Sequence, residues 1–413
     1  MSRPLAWSVI FLAVPLGAAL TGCGAGPAAG DQAAAADTVV AMPALTIGVE
    51  EGDPAYEFGH VRAVAADDAG RIYVADRIGS TVRVYSPDGE FLRQIGREGE
   101  GPGEFQWPVD IAFGPDGRLY VRDIVRITAF AARRPGEIPD SVTATWRLPG
   151  YGNTQPGRSV VTADGRYLYP YYRMPRDEPP SHFYLIFSNG SLLPDTLFVP
   201  EYANRNALRI AYYPLSPGGG RMVHGLSYAP FAPVPVWAVT PDATVLSGDG
   251  AEYVLHETGL AGDTIRVLVG PEQGGRPVPP RERSDSARAL AARIDSLPVP
   301  IDEVVNVGDD VREGRIPEPL PAFIGLHVAT DGTVWVERWP PEGRGEERHY
   351  DVLDREGRRI TAVVVPLPLA RDLPPYITGD AIYGVVRDPE TDIDRVVKAE
   401  VRIPALRTVA SRP

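Results

Sequence analysis

Cys23 is the only cysteine in this 413-residue chain, and Lys398 is the only lysine among its 41 basic residues. A lone cysteine rules out an internal disulfide and a cysteine-based zinc site. A phosphate-cradling loop ending in Gly-Lys is excluded as well, because Lys398 follows Val396-Val397. The six histidines, His60, His182, His224, His256, His327 and His349, show no close ligand spacing. The sequence has no His-Glu-x-x-His metal motif and no Gly-x-Ser-x-Gly nucleophile elbow. What remains is carboxylate and guanidinium chemistry. The formal charge of −13 disfavours a nucleic-acid partner, which needs a basic face against phosphates. Arginine forks and planar aromatic rings suit recognition of carboxylates, peptides or sugars.

The elements that must position these groups are short. Glycine and proline number 43 each, which argues against long helices. The segment from Val64 to Tyr85 reads as a strand, the turn Asp67-Asp68-Ala69-Gly70, the strand Arg71-Ile72-Tyr73-Val74, and a third strand from Thr81. A second turn, Ser86-Pro87-Asp88-Gly89, leads into Phe91 to Ile95. Forty-seven residues after the first turn the pattern returns, with Gly114-Pro115-Asp116-Gly117 followed by Arg118-Leu119-Tyr120-Val121. Asp164-Gly165, Thr240-Pro241-Asp242-Ala243 and Asp331-Gly332 mark later copies. Four short strands per ~40–50 residues, joined by turns that need positive φ, are the signature of a β-propeller blade.

Tyr73-Val74-Ala75-Asp76, Arg83-Val84-Tyr85 and the run Gly99-Glu100-Gly101-Pro102-Gly103-Glu104-Phe105 resemble the NHL-repeat family of six-bladed propellers over residues 58–130. Five blades end near Pro366, and residues 370–403 supply only three strands. An N-terminal strand at 44–49 is expected to complete the last blade, closing the ring and removing its open edges. The expected fold is therefore all-β, a six-bladed propeller over 43–408. One short helix, from Ser284 or Asp285 to Ser296, is expected in an insertion at 270–320 between blades four and five. Its Ala287, Leu290, Ala291 and Ile294 fall on one face.

The N-terminus carries an address. Arg3 precedes an apolar stretch from Leu5 to Leu20, and Leu20-Thr21-Gly22-Cys23 resembles the lipobox of bacterial lipoproteins. The resemblance implies a signal peptide at 1–22, lipid attachment to Cys23 and anchoring in the cell envelope. Gly24, where an aspartate would favour inner-membrane retention, points to the outer membrane, with the protein on its periplasmic side or at the cell surface. Residues 23–42, rich in Ala and Gly, are expected to form a flexible tether.

In a propeller the D–A and B–C connections share one face, here called the upper face. The long segments 170–182, 200–233, 270–320 and 339–347 fall there, whereas most Asp-Gly turns lie below; the exception is the long C–D connection 131–141. Loops on a rigid scaffold carry function, so the upper face is the expected binding face. Its candidate contacts are His60, Arg77, Trp107, Arg122, Tyr171, Tyr172, Arg173 and Arg338, with Trp339 beside them. Asp76, Asp123 and Asp249, at the ends of strand B, are expected to cap turns. Some six-bladed relatives are metal-dependent hydrolases or lyases with ligands at the start of each strand A. The equivalent positions here are His60, Trp107, Gln155, Pro233 and Ala322, which is not a metal ring. The expected function is non-enzymatic binding of a protein, peptide or glycan by a monomer that carries no cofactor. The alternative is a metal-dependent hydrolase or lyase, lactonase-like, with its site at the channel mouth, where His60 and His224 would be the nearest ligands. Changing Cys23 to Ala is expected to move the protein from the membrane pellet to the soluble fraction. Retention in the pellet would contradict lipid anchoring.

Overall fold

A computed structural model describes residues 38–149, 159–173, 181–200, 207–209, 212–214, 221–223, 226–228, 230–270, 275–295, 317–341 and 345–403. These include six four-stranded antiparallel blades, with strands A to D running from the channel outward. Blade one comprises Val61–Ala66, Ile72–Asp76, Thr81–Tyr85 and Phe91–Ile95. Blade two comprises Pro108–Phe113, Leu119–Asp123, Arg126–Ala131 and Ser141–Arg147. Blade three comprises Val160–Val161, Tyr167–Arg173, Ser181–Ser188 and Ser191–Phe198, and blade four Val236–Val239, Val245–Gly248, Val254–Thr258 and Thr264–Val269. Blade five comprises Gly325–Val328, Val334–Arg338, Arg348–Leu353 and Arg359–Val365. Blade six takes Tyr376–Ile377, Ala381–Arg387 and Asp394–Glu400 from the C-terminal end of the chain. Met42–Ile47 supplies its outer strand, pairing antiparallel with Asp394–Glu400.

The core is distributed between blades rather than held at one centre. Six hydrophobic clusters each join two neighbouring blades, and together they run round the ring without a gap. Blades one and two meet through Ala65, Tyr73, Val84, Ile111, Leu119 and Phe130. Six and one meet through Ile47, Val61, Val64, Tyr85, Tyr383 and Val396. Small residues on strand A and large ones farther out fit the wedge shape each blade must adopt. At Gly117 and Gly165 the turns sit at φ of 74° and 81°, where a glycine avoids strain.

The expected tether is too long at its C-terminal end. Thr38–Val40 pairs in parallel with Arg359–Val365, so blade five gains a fifth strand before the chain crosses to blade six. The crossing residue, Ala41, is fully buried. Thr38, Val39 and Val40 are β-branched and suit an edge strand, which explains why the strand lies within the stretch expected to be a tether. The expected insertion at 170–182 is also narrower, since strand B continues to Arg173 and strand C begins at Ser181. Within 200–233 two nested hairpins form, Ala207–Arg209 with Leu226–Tyr228 and Tyr212–Pro214 with Arg221–Val223.

The helix between blades four and five spans Pro280–Asp295, starting earlier than expected. Proline is tolerated in the first helical turn because its missing N–H would have had no partner there. The insertion is stapled at its base, where Val278 N–H donates to the Glu318 carbonyl and Leu320 N–H to that of Arg276.

Ile47 is 2% exposed at the closure, whereas Met42, five residues earlier on the same strand, is 64% exposed. Ile47→Ala is expected to cost about 2–4 kcal/mol in denaturant unfolding, and Met42→Ala less than about 0.5 kcal/mol. Equal effects would show that the strand does not close the ring.

Candidate functional site

The upper face is organised by aspartates at the blade junctions. The Asp76 carboxylate accepts backbone N–H groups from Gly59, His60, Ile78 and Gly79 at 2.9–3.3 Å. Asp123 accepts those of Gln106, Trp107 and Ile124. Asp110 reaches into blade three to accept from Ser159 at 2.6 Å, and Asp394 reaches into blade one to accept from Val61 at 2.8 Å. The expected capping role of Asp76 and Asp123 is thus visible in their bonds. These acids fix the segments that lead into strand A, and with them the residues on the rim.

His60, Arg77 and Trp107 come together on this rim. The Arg77 guanidinium lies 4.3 Å from the centre of the Trp107 ring, a cation–π contact that bridges blades one and two. Trp107 remains 47% exposed. The His60 carbonyl accepts the Arg77 N–H, and His60 Nδ1 stands 4.0 Å from the Asp394 carboxylate. Burial pushes the His60 imidazole below its ordinary pKa; Asp394 opposes this, and Arg387, Arg62 and Arg77 add to it.

Two arginines that sequence reasoning passed over complete the group. Arg62 sits where the A–B register of blade one shifts, between Val61 and Ala63. Such a bulge re-aims one side chain out of the regular alternation. Burial lowers the Arg62 pKa; Asp372 counters this, and the charges of Arg77, Arg122 and Arg387 lower it further. Arg387 Nε donates to Asp394 at 2.8 Å, and Arg387 Nη1 lies 3.3 Å from Asp372. The available signal was Arg62 itself, a long cation inside the otherwise apolar strand Val61–Ala66.

The other candidates serve different ends. Arg122 is not a surface contact: it is 2% exposed, 3.5 Å from Asp110, and faces the Tyr169 ring at 5.6 Å. Alternation along Leu119–Asp123 turns it into the junction with blade three. Arg338 donates to Asp351 at 2.7 Å and lies over Tyr253 at 5.0 Å, joining blade five to blade four. Tyr171 packs against Tyr169 and Phe183. Tyr172 and Arg173 are placed by their backbone only, opposite His182 and Ser181. Cys23, Gln155 and His224 lie outside the described residues. Among the described residues, no three His, Cys, Asp or Glu side chains stand close enough to hold a metal ion together. No described helix is long and apolar enough to cross a membrane.

A cavity of about 1370 Å3 occupies the channel. Its wall is built by the inner strands of blades two to six, and it reaches the A–B turns of blades one to three and the C–D connection of blade two. The cavity therefore runs along the channel, from Glu337, Arg348 and residues 371–375 at the upper end to the lower turns. On its wall Glu337 is held by Arg348 at 2.5 Å, with His327 at 3.6 Å and Arg371 at 3.5 Å. Burial alone would raise the Glu337 pKa, but the nearby His327 ring and the Arg348 charge overcome it and bring it down to about 2.

A family model described as 6-bladed beta-propeller matches residues 53–130, about a fifth of the chain. No curated protein matches it. A Bacteroides fragilis protein described as exported is 12% identical, with 89% of this chain and 99% of that chain covered at a TM-score of 0.44. Virginiamycin B lyase from Staphylococcus aureus is 11% identical, covering 84% of each chain at 0.37. The aldose sugar dehydrogenase of Streptomyces coelicolor is 13% identical, covering 88% and 98% at 0.38.

A carboxylate whose folded pKa is depressed stabilises the fold above its unfolded value and loses that contribution as pH falls through the folded value. For Glu337, about 3 kcal/mol should be lost between roughly pH 4.5 and pH 2. Glu337→Gln should flatten this part of the stability curve, measured by denaturant unfolding. An unchanged slope would show that Glu337 titrates normally.

Proposed function

We propose that this chain is a lipid-anchored envelope propeller that binds a carboxylate-bearing peptide or glycan partner through its upper rim. It acts as a binding module rather than an enzyme. The observation that carries this reading is the Arg77–Trp107 stack, with the indole exposed and Arg77 half-buried, and with His60 beside it. A flat cation stacked on an indole offers a planar hydrogen-bonding fork and an apolar face together. Arg62 and Arg387 stand nearby, the latter paired with Asp394 and Asp372, and both disfavour the charged form of the His60 imidazole. The capping aspartates already accept backbone N–H groups, so the rim favours an anionic partner although the chain as a whole is acidic. The signal-like N-terminus supports an envelope address, and the propeller provides the rigid frame.

The test uses a photocrosslinking residue at Ile78, which is 72% exposed beside Arg77. A second is placed at Arg134 on the lower C–D connection of blade two, where the side chain is 83% exposed. In envelope extracts, adducts are expected from Ile78 and should fall at least tenfold when Arg77→Glu is added. Adducts from Arg134 alone, or an Ile78 adduct indifferent to Arg77→Glu, would overturn the reading.

A further inference from the structure

The innermost strand of blade six is broken by an excursion. Ala370 N–H donates to the Val385 carbonyl, and pairing resumes with Tyr376 opposite Tyr383. Only Gly384 separates Val385 from Tyr383, so residues 371–375 bulge out opposite a single partner position. All five line the channel cavity. Pro374 and Pro375 have no N–H to satisfy there, and Leu373 is 8% exposed in the cluster between blades six and one.

The excursion gives the cavity an unequal charge. Arg371 and Asp372 are each 51% exposed, yet they turn to different partners: Asp372 to Arg387, Arg371 to the Glu337 group. Glu337 Oε1 is already held by the buried Arg348, whose second nitrogen donates to the Leu369 carbonyl at 2.6 Å. One carboxylate thus faces two guanidinium groups. The Arg371 pKa is lowered by burial first and by the Arg348 charge next. The Tyr350 hydroxyl, buried and close to the same charges, has no hydrogen-bond partner among the described residues. Along the channel the wall carries apolar side chains, including Phe113, Trp237, Leu326, Val328 and Tyr376, and charged residues of both signs return only at the lower turns, where Asp67, Arg71, Asp116 and Arg118 stand.

We propose that the channel is a second binding site, distinct from the Arg77–Trp107 stack although its head group lies at the upper end, for a small amphipathic carboxylate. Its anionic head meets Arg371 beside the Glu337–Arg348 pair, and its apolar body lies against Phe113, Trp237 and Leu326. The cavity exceeds the ~300–1,000 Å3 usual for a small-ligand pocket, so such a molecule fits. The head completes the charge balance that Glu337 leaves short.

The experiment titrates the purified full chain with octanoate and with octanol by calorimetry. Saturable octanoate binding is expected, at least tenfold tighter than octanol. Arg371→Gln should weaken octanoate at least tenfold and leave octanol unchanged, and Arg371→Lys should keep part of the preference. Thermal unfolding of each variant checks that the propeller remains folded; should Arg371→Gln fail that check, the wild-type comparison and Arg371→Lys decide. No saturable octanoate binding, equal affinity for octanol, or full affinity in Arg371→Gln would overturn the proposal.

Discussion

Closure of the ring is the constraint on which the rest of the structure depends. Blade six has three strands from the C-terminal end of the chain and one, Met42–Ile47, from near residue 40. Without that strand its outer edge is open, and the cluster joining blades six and one loses Ile47. The Val61 N–H bonded to Asp394 spans 333 residues of sequence at this seam. Loop-closure entropy rises only slowly with length, so one such seam can complete the whole ring. The parallel strand Thr38–Val40 extends the seam onto blade five, with Ala41 buried between them.

The seam also explains where the functional groups stand. Asp394 and Asp110 grip the backbone of the next blade, and each lies beside an arginine, Arg387 or Arg122. A buried ion pair is weak evidence for stability; here its clearer effect is positional. Arg122 is consumed in the junction, whereas Arg387 stands beside Asp372 and the upper channel. The same residue type therefore serves as wedge in one blade and as surface charge in another. Burial, not composition, separates the two roles.

Much of the fold was legible because turn chemistry repeats. The glycines at 70 and 117 occupy positive φ at equivalent turns, and no other residue type does so as readily. The N-terminal strand could be inferred by counting, since a ring with three strands in one blade exposes an edge. The rim was legible only in part. His60 and Trp107 sit at repeat-equivalent positions 47 residues apart, and Arg77 follows the capping Asp76, whereas Arg122 precedes the capping Asp123 and is buried. Strand alternation fixes which way a side chain turns only when the register is known. The bulge at Arg62 and the excursion at 371–375 were invisible for the same reason: both are departures from register, and register arises from pairing across the sheet. The cluster of Glu337, Arg348 and Arg371 joins residues from three separate segments, which no local pattern records.

The upper rim is thus proposed as an anion-recognising surface built on a rigid ring. Hydrogen exchange, recorded on the chain alone and in the presence of excess hexaglutamate peptide, addresses this most directly. Protection should rise at residues 59–62, 77–80 and 106–108 and stay unchanged in the lower turns at 114–118 and 354–357. Protection confined to the lower turns, or none anywhere at saturating peptide, would contradict it.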